Sequence, residues 1–490
     1  MNDRPQEELG RGRRLLVLAI CSMSLLIVGL DTTIVNVALP AIRNSLHASV
    51  SGLQWVIDAY TLVLASLLML AGSTADRVGR RRIFQSGLVV FSLGSLLCAL
   101  APSLELLIAA RVVQAIGGSM LNPVAMSIIR NVFHDPRERA QAIGVWGAVF
   151  GLSMALGPIV GGALVDSVGW RAVFLVNVPV GVVAIALTAL FVPESRAERA
   201  RRLDPVGQVL VIVALASLTY AIIEGPPAGF TSPEILSLFG LSGVCFLALV
   251  GYELRRREPL LELRFFRSAP FSGASAIAVL AFAAMGGFLF LNTLYLQAVR
   301  GFSPLHAGLY MLPMAAMTLV CAPLSGRLIG RRGARPPLVI AGVALIAGAL
   351  MLTRLTPETD TAYLLGAYFI FGLGSGMVNP PITNTAVSGM PPSQAGVAAG
   401  VASTSRQVGM TLGVAVIGAI AGGSIAGSIG PGFAAATHPA WWVIVVLGAG
   451  ILVLGVITTT AWASRTAERT AEQFREPQPP ALVARQELAA

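Results

Sequence analysis

Fourteen apolar stretches follow one another along this chain, each long enough to cross a bilayer, and arginines crowd almost every second junction between them. A helix needs about 20 apolar residues to traverse the hydrocarbon core. The stretches lie at 15–39, 53–72, 83–101, 104–129, 141–163, 172–192, 206–223, 235–252, 270–293, 306–326, 337–353, 361–381, 398–421 and 440–462. Hydrophobic residues make up 55% of the chain and charged residues only 12%, against about 45–50% and 25% in soluble domains. The fold class this predicts is an all-α polytopic membrane protein.

Arg11, Arg13 and Arg14 precede the first stretch, and further arginines gather at 77–82, 130–139, 196–202, 255–267 and 327–335. These are alternate loops, so the bias places them and both termini on the cytoplasmic side of the cell inner membrane. The loop at 382–397 holds no arginine, and its side follows from counting. The net charge of +10 includes no lysine and no single basic face, which argues against a nucleic-acid partner. No small-residue cleavage site follows the first stretch, and Asp31 lies inside it, so it reads as a retained helix rather than a secretory leader. Cys21, Cys98, Cys245 and Cys321 fall in apolar stretches without paired spacing, as packing residues do, and no metal site is expected.

The chain repeats itself. Gly72, Asp76 and Gly79 return in spacing as Gly326, Gly330 and Gly333, 254 residues later (72 to 326), with Arg331, Arg332 and Arg335 nearby but no acid. Gly117-Gly118-Ser119-Met120-Leu121-Asn122-Pro123 returns as Gly374-Ser375-Gly376-Met377-Val378-Asn379-Pro380, 257 residues later (117 to 374). Stretches 2 to 4 therefore match stretches 10 to 12, which predicts two six-helix bundles with two extra helices between them. The expected division is a cytoplasmic tail at 1–14, a first bundle at 15–192 and an inserted pair with its loops at 193–267. A second bundle at 268–462 and a disordered cytoplasmic tail at 463–490 complete it. The inserted pair is introduced by Arg201-Arg202-Leu203-Asp204-Pro205.

The loop at 72–82 resembles the G-x-x-x-D-R-x-G-R-R-x signature of the major facilitator superfamily. Arg111-Val112-Val113-Gln114-Ala115-Ile116-Gly117 resembles that family's fourth-helix motif, with Ala115 where the family usually has Gly. Leu30-Asp31-Thr32-Thr33-Ile34-Val35-Asn36-Val37-Ala38-Leu39-Pro40 is similar to the first-helix signature of its fourteen-span drug:proton antiporter branch. Trp55 to Tyr60 and Trp170 to Pro179 point the same way. The resemblance implies the major facilitator fold, an alternating-access mechanism, protons and a small molecule as partners with the lipid bilayer, and no cofactor. A monomer is expected.

Asp31, Asp58 and Arg111 are the candidates for proton coupling and cation binding. Counted at 1.5 Å per residue, they lie roughly 12, 6 and 10 Å below the outer ends of their stretches, and charge at membrane depth is functional by default. Gly72, Asp76, Arg77, Gly79 and Arg80 form a candidate conformational latch, Asp76 being free to pair with an arginine or a helix end. Gly147, Gly151, Gly157, Pro158, Gly161 and Gly162 crowd the fifth stretch, where Gly costs about 1 and Pro about 3 kcal/mol in a helix. In the resembling family this pattern accompanies antiporters, and the aligned second-half segment has Val414 in place of Pro158. Tyr60, Asn122, Asn292, Tyr295 and Asn379 are candidate cavity residues, the Asn122/Asn379 pair being preserved by the repeat.

The function expected is proton-coupled efflux of lipophilic, cationic drugs or of a secondary metabolite. Proton-linked uptake of a small nutrient is the alternative. No loop is large enough to hold an acid/base constellation, which disfavours an enzyme, and the chain lacks a phosphate-cradling Gly-Lys-Ser/Thr sequence.

Overall fold

The computed structural model describes residues 10–197, 203–256, 258–388, 394–423 and 432–474. Arg201, Arg202 and the outer parts of both expected tails, 1–9 and 475–490, lie outside the described residues. Among the described residues, fourteen helices are long and apolar enough to cross a membrane. They are α1 (Arg11–Leu46), α2 (Val50–Val78), α3 (Arg80–Leu100), α4 (Leu104–Val132), α5 (Pro136–Ser167), α6 (Ala172–Phe191) and α7 (Pro205–Ala228). There follow α8 (Pro233–Glu253), α9 (Ala269–Val299), α10 (Pro304–Arg332), α11 (Arg335–Leu352), α12 (Thr361–Val387), α13 (Ala395–Gly423) and α14 (Phe433–Ile457).

Helix starts follow capping chemistry legible in the chain. Ser49, Ser103, Ser232, Ser268 and Ser303 each accept a bond from a backbone N–H three residues on. Asp135 and Asp204 cap α5 and α7 ahead of Pro136 and Pro205, whose missing N–H would have been unpaired there anyway.

Packing repeats with a shift of eight helices. The pairs α1–α5, α2–α4, α3–α4 and α3–α6 recur as α9–α13, α10–α12, α11–α12 and α11–α14. No hydrophobic force drives helices together in lipid, so close approach depends on small residues. Gly117 of α4 lies against the backbone at Gly87 and Phe91, and Gly372 and Gly376 of α12 lie against the backbone of α10 at Met314 and Thr318. The helices α7 and α8 have no counterpart in this pattern. They pack on each other, and α7 also touches α2 and α13. Leu247 and Val244 of α8, 72% and 65% exposed, face outward as lipid-facing residues do.

Fourteen crossings bring the start of α1 and the end of α14 to one face, here called the terminal face. The repeats are fastened together nearer the opposite face. Gln54 of α2 donates to the carbonyls of Val414 and Ala415 at 3.1 and 2.9 Å, and Gln297 of α9 donates to Val37 at 2.8 Å. Leu305 N at the start of α10 donates to Asp166 of α5 at 3.0 Å. Towards the terminal face α5 and α10 part: a Cβ on Gly151 would meet Leu319 at 3.9 Å, whereas at Gly144, Gly147, Gly326 and Gly330 nothing lies within 4 Å.

The end of the array differs from the expected plan. The last crossing runs Phe433–Ile457 rather than 440–462, and a further helix, α15 (Ala461–Glu472), occupies part of the segment expected to be a disordered tail. Its buried side is Ala463, Ala467 and Thr470, which packs near the start of α9 and the turn at Leu263–Arg267. Alanines and charges give it too little hydropathy to register as a crossing, yet they form an amphipathic surface helix.

Candidate functional site

A closed polar network lies inside α1–α6. Asp31 stands on α1, Arg111 and Gln114 one turn apart on α4, Ser95 on α3 and Asn177 on α6. Arg111 Nη1 donates to Asp31 Oδ2 at 2.5 Å and to Gln114 Oε1 at 2.7 Å, while its Nε donates to the Val56 carbonyl at 3.0 Å. Gln114 Nε2 donates to Asp31 Oδ1 at 2.8 Å and to Ser95 Oγ at 2.7 Å. Asn177 Nδ2 donates to the same two acceptors, at 3.1 Å each. The guanidinium lies 4.1 Å from the Tyr60 ring centroid and 5.7 Å from that of Phe174. Side-chain exposure is 0% at Asp31 and 1% at Arg111, so the pair is fully out of solvent. Burial on this scale is tolerable because both Asp31 oxygens and the Arg111 Nε and Nη1 are hydrogen-bonded.

Asp58 stands apart from this pair, which corrects the expected three-charge cluster. Its Oδ1 accepts from Thr61 Oγ1 at 3.3 Å and its Oδ2 has no hydrogen-bond partner among the described residues. Thr61 in turn accepts from Thr411 of α13 at 2.9 Å. The helical period is the reason: positions 54, 58 and 61 share the face of α2 turned to α13, whereas 56 and 60 share the face turned to α4. Because α2 begins at Val50, Asp58 is also deeper than counting from residue 53 placed it, and it is fully buried.

The turn between α2 and α3 is tied within its own half. Arg80 Nε and Nη2 donate to Asp76 Oδ1 at 3.0 and 2.9 Å. The backbone of the segment after α6 joins in, Ala197 N donating to the Asp76 carbonyl at 3.0 Å and Arg80 N to the Ser195 carbonyl at 2.9 Å. Glu194 accepts from Arg81 N at 3.1 Å and lies 3.7 Å from Arg82. Gly79 has φ 132°, a left-handed conformation that admits glycine, and a Cβ there would strike the Glu194 carboxylate. Gly72 lies 3.6 Å from Pro123 of α4, measured from its would-be Cβ. Asp76 thus meets Arg80, and Arg111 is committed elsewhere.

The glycines of α5 divide by depth. A Cβ on Gly157 or Gly161 would run into Thr33 or Ile34 of α1, and one on Gly162 into the backbone of Pro304 and Leu305. Gly308 of α10 lies against the Pro158 carbonyl. Gly157, Pro158, Gly161 and Gly162 therefore form the seam where α5 meets α1 and α10, and Gly147 does not belong to it.

Three expected cavity residues are placed in the interior instead. Tyr60 is fully buried as the aromatic face under Arg111. Asn292 is 0% exposed, donating to the Phe288 carbonyl at 2.9 Å and accepting from Tyr368 at 2.6 Å. Tyr295, 2% exposed, donates to the Thr356 carbonyl at 2.7 Å. Asn122 and Asn379 are half-buried, and the Oδ1 of each is without a partner among the described residues. Ser95 and Tyr368 are the polar partners that nothing in the sequence singled out; Gln114 and Asn177 stood inside the quoted motifs, so that signal was present. All four cysteines are free and buried.

Two helical repeats joined at a seam, with an ion pair buried at membrane depth, define a polytopic transporter. Residues 21–414 match the family description "Major Facilitator Superfamily", and the chain belongs to that superfamily. It is 38% identical to "Multidrug resistance protein Stp" of Mycobacterium tuberculosis (strain ATCC 25618 / H37Rv) across 85% of this chain and 78% of that protein. It is 36% identical to "Methylenomycin A resistance protein" of Streptomyces coelicolor, over 80% and 82% of the two chains. To "Tetracenomycin C resistance and export protein" of Streptomyces glaucescens it is 38% identical, over 84% and 76%. Among solved structures, a bacterial homologue of the human lysosomal transporter Spinster, inward-facing and unoccupied, matches with TM-score 0.65 and 20% identity. That match covers 96% of this chain and 100% of the other, and it speaks to the fold alone.

Proposed function

We propose that this chain exports lipophilic drugs or a secondary metabolite across the cytoplasmic membrane by alternating access, in exchange for protons. Relatives named for drug resistance and export support the direction, and the buried Asp31–Arg111 pair is the observation that carries the coupling. A carboxylate held by one arginine and two amides is a group whose protonation would loosen its grip on two neighbouring helices, α4 and α6. The geometry thereby links a proton to the packing of α1, the helix against which the α5 seam closes.

In this reading the terminal face is cytoplasmic, on the strength of its arginines. The seam of α5 with α1 and α10, and that of α2 with α13, seals the external side. The turn at 72–82 serves as a latch within the first half, holding α2 and α3 to the segment after α6 as the halves rock. A monomer suffices, since each element of the path lies within one chain, and no cofactor enters the scheme. The division at 192 and 267 follows as two moving bundles with an inserted pair.

The test is transport in inverted membrane vesicles. An imposed proton gradient, acid inside, is expected to drive dye accumulation by the wild type. Accumulation that ignores the gradient, or movement of a nutrient in the uptake direction, would favour the facilitator reading instead.

A further inference from the structure

Arg406 is a charge that the mechanism above leaves unused. Helix α13 has 29 residues, about 43 Å at 1.5 Å per residue, and Arg406 lies close to its midpoint, well within the membrane. Its Nη2 donates to the Thr383 hydroxyl of α12, its Nε has no partner, and its Cζ stands 5.9 Å from the Phe282 ring centroid of α9. The ion pairs of the described residues involve other arginines.

The acids within reach are accounted for. Asp31 is neutralised by Arg111. Asp58 lies on the other side of the Thr61–Thr411 contact, three residues beyond it on α2 while Arg406 is five residues beyond it in the opposite direction on α13. Eight residues of rise separate the two charges by about 12 Å, too far for an ion pair. An arginine at this depth without a carboxylate partner marks a substrate or ion path by default.

The surroundings show where a counter-ion would enter. The far sides of α12 and α9 are covered by α11 and α14, and α13 also touches α2, so the junction of α9, α12 and α13 is turned towards the first half. Asn379 stands one turn from Thr383 on the same face of α12 with its Oδ1 unpartnered, and its repeat mate Asn122 offers the same from α4. Towards the terminal face, at Gly400, nothing lies within 4 Å. A guanidinium, a hydroxyl and a phenyl ring at this junction, with the carboxamide of Asn379 one turn away, are the chemistry that takes a flat molecule with an acidic group.

We propose that Arg406 is the anion-recognising residue of the substrate path, so that this transporter accepts lipophilic substrates bearing a carboxylate or an ionised phenol. This deepens the export reading and rests on it, and it departs from the expectation of cationic drugs while keeping that of a secondary metabolite. Arg406 is a specificity residue here: the guanidinium holds the acid while Asn122 and Asn379 take the neutral polar groups.

Inverted vesicles carrying the wild type, R406Q or R406K would be assayed with carboxyfluorescein, an anion, and ethidium, a cation, under one imposed proton gradient. The wild type is expected to move carboxyfluorescein, and R406Q to lose roughly tenfold or more of that transport, as removal of a charge-assisted contact does. R406K is expected to keep most of it, and in R406Q the ratio of carboxyfluorescein to ethidium transport is expected to fall roughly tenfold or more. Equal loss on both dyes marks a structural role and overturns the assignment, as does wild-type transport of ethidium alone, and in both cases export stands. Movement of neither dye by the wild type sinks the export reading and the assignment with it.

Discussion

Replacing Arg111 by glutamine is the most severe single change available to the buried network, and its cost can be worked from the bonds. The substitution removes the 2.5 Å contact to Asp31 and the 3.0 Å contact to the Val56 carbonyl, and it vacates the face of Tyr60. Asp31 keeps two amide donors, from Gln114 and Asn177, but loses its Arg111 counter-charge at 0% exposure. Breaking one side of a buried pair costs about 3–5 kcal/mol. The double variant D31N/R111Q leaves no charge behind and can re-form amide bonds, so much of that cost is expected to return. A double-mutant cycle should therefore show a coupling of about 2–3 kcal/mol, at the upper end of what neighbouring groups display. Denaturant unfolding of the detergent-solubilised protein measures it. Additive effects within about 0.5 kcal/mol would mean that the two side chains do not act as a unit, and the reasoning would fail.

Other perturbations separate the remaining elements. G157A is expected to lower thermal stability by about 1–3 kcal/mol of overpacking and to slow transport, because its Cβ meets Thr33 and Ile34, whereas G147A meets nothing within 4 Å and should be neutral in both assays. Q54L removes two hydrogen bonds between α2 and α13, each worth about 0.5–1.5 kcal/mol. Spin-label distances across that seam should then show the open arrangement enriched several-fold, and an unchanged distribution would count against the seam as the external seal. D76N weakens a partly exposed pair with Arg80, so stability should fall by less than about 1 kcal/mol while the transport rate falls clearly; a proportionate loss of both would reduce the turn to a structural tie.

Much of the fold could be read from the chain because its physics is one-dimensional. Apolar length, arginine placement and serine, aspartate and proline caps are local signals, and the helix bounds follow them at Ser49, Asp135 and Asp204. Depth was partly legible: counting along α1 and α4 put Asp31 and Arg111 at similar levels, but Asp58 was counted too shallow because α2 begins at Val50. Azimuth was not. Helices enclosed by other helices are apolar on most sides, so nothing in the sequence told Tyr60, Asn292 and Tyr295 which way to face, and all three turned inward. Asp58 was misplaced for the same reason, its face of α2 belonging to α13. The Asn122/Asn379 pair stands out in the sequence because the repeat preserves it, and in the structure both are half-buried with an unpartnered Oδ1 among the described residues. Arg406 was visible as a charge, but only the three-helix junction shows that it has no acid within reach. The helix at Ala461–Glu472 escaped notice because alanine and charge gave it no apolar run.

The central claim is that the buried carboxylate of Asp31 couples protons to export, and proteoliposomes test it most directly. With wild type and D31N reconstituted at equal density and both shown folded, an imposed pH gradient should drive accumulation of ethidium or carboxyfluorescein by the wild type. Collapse of the gradient should stop it, and D31N should bind the dye yet fail to concentrate it at any pH. Gradient-driven accumulation by D31N at the wild-type rate, across several pH values, would contradict the account.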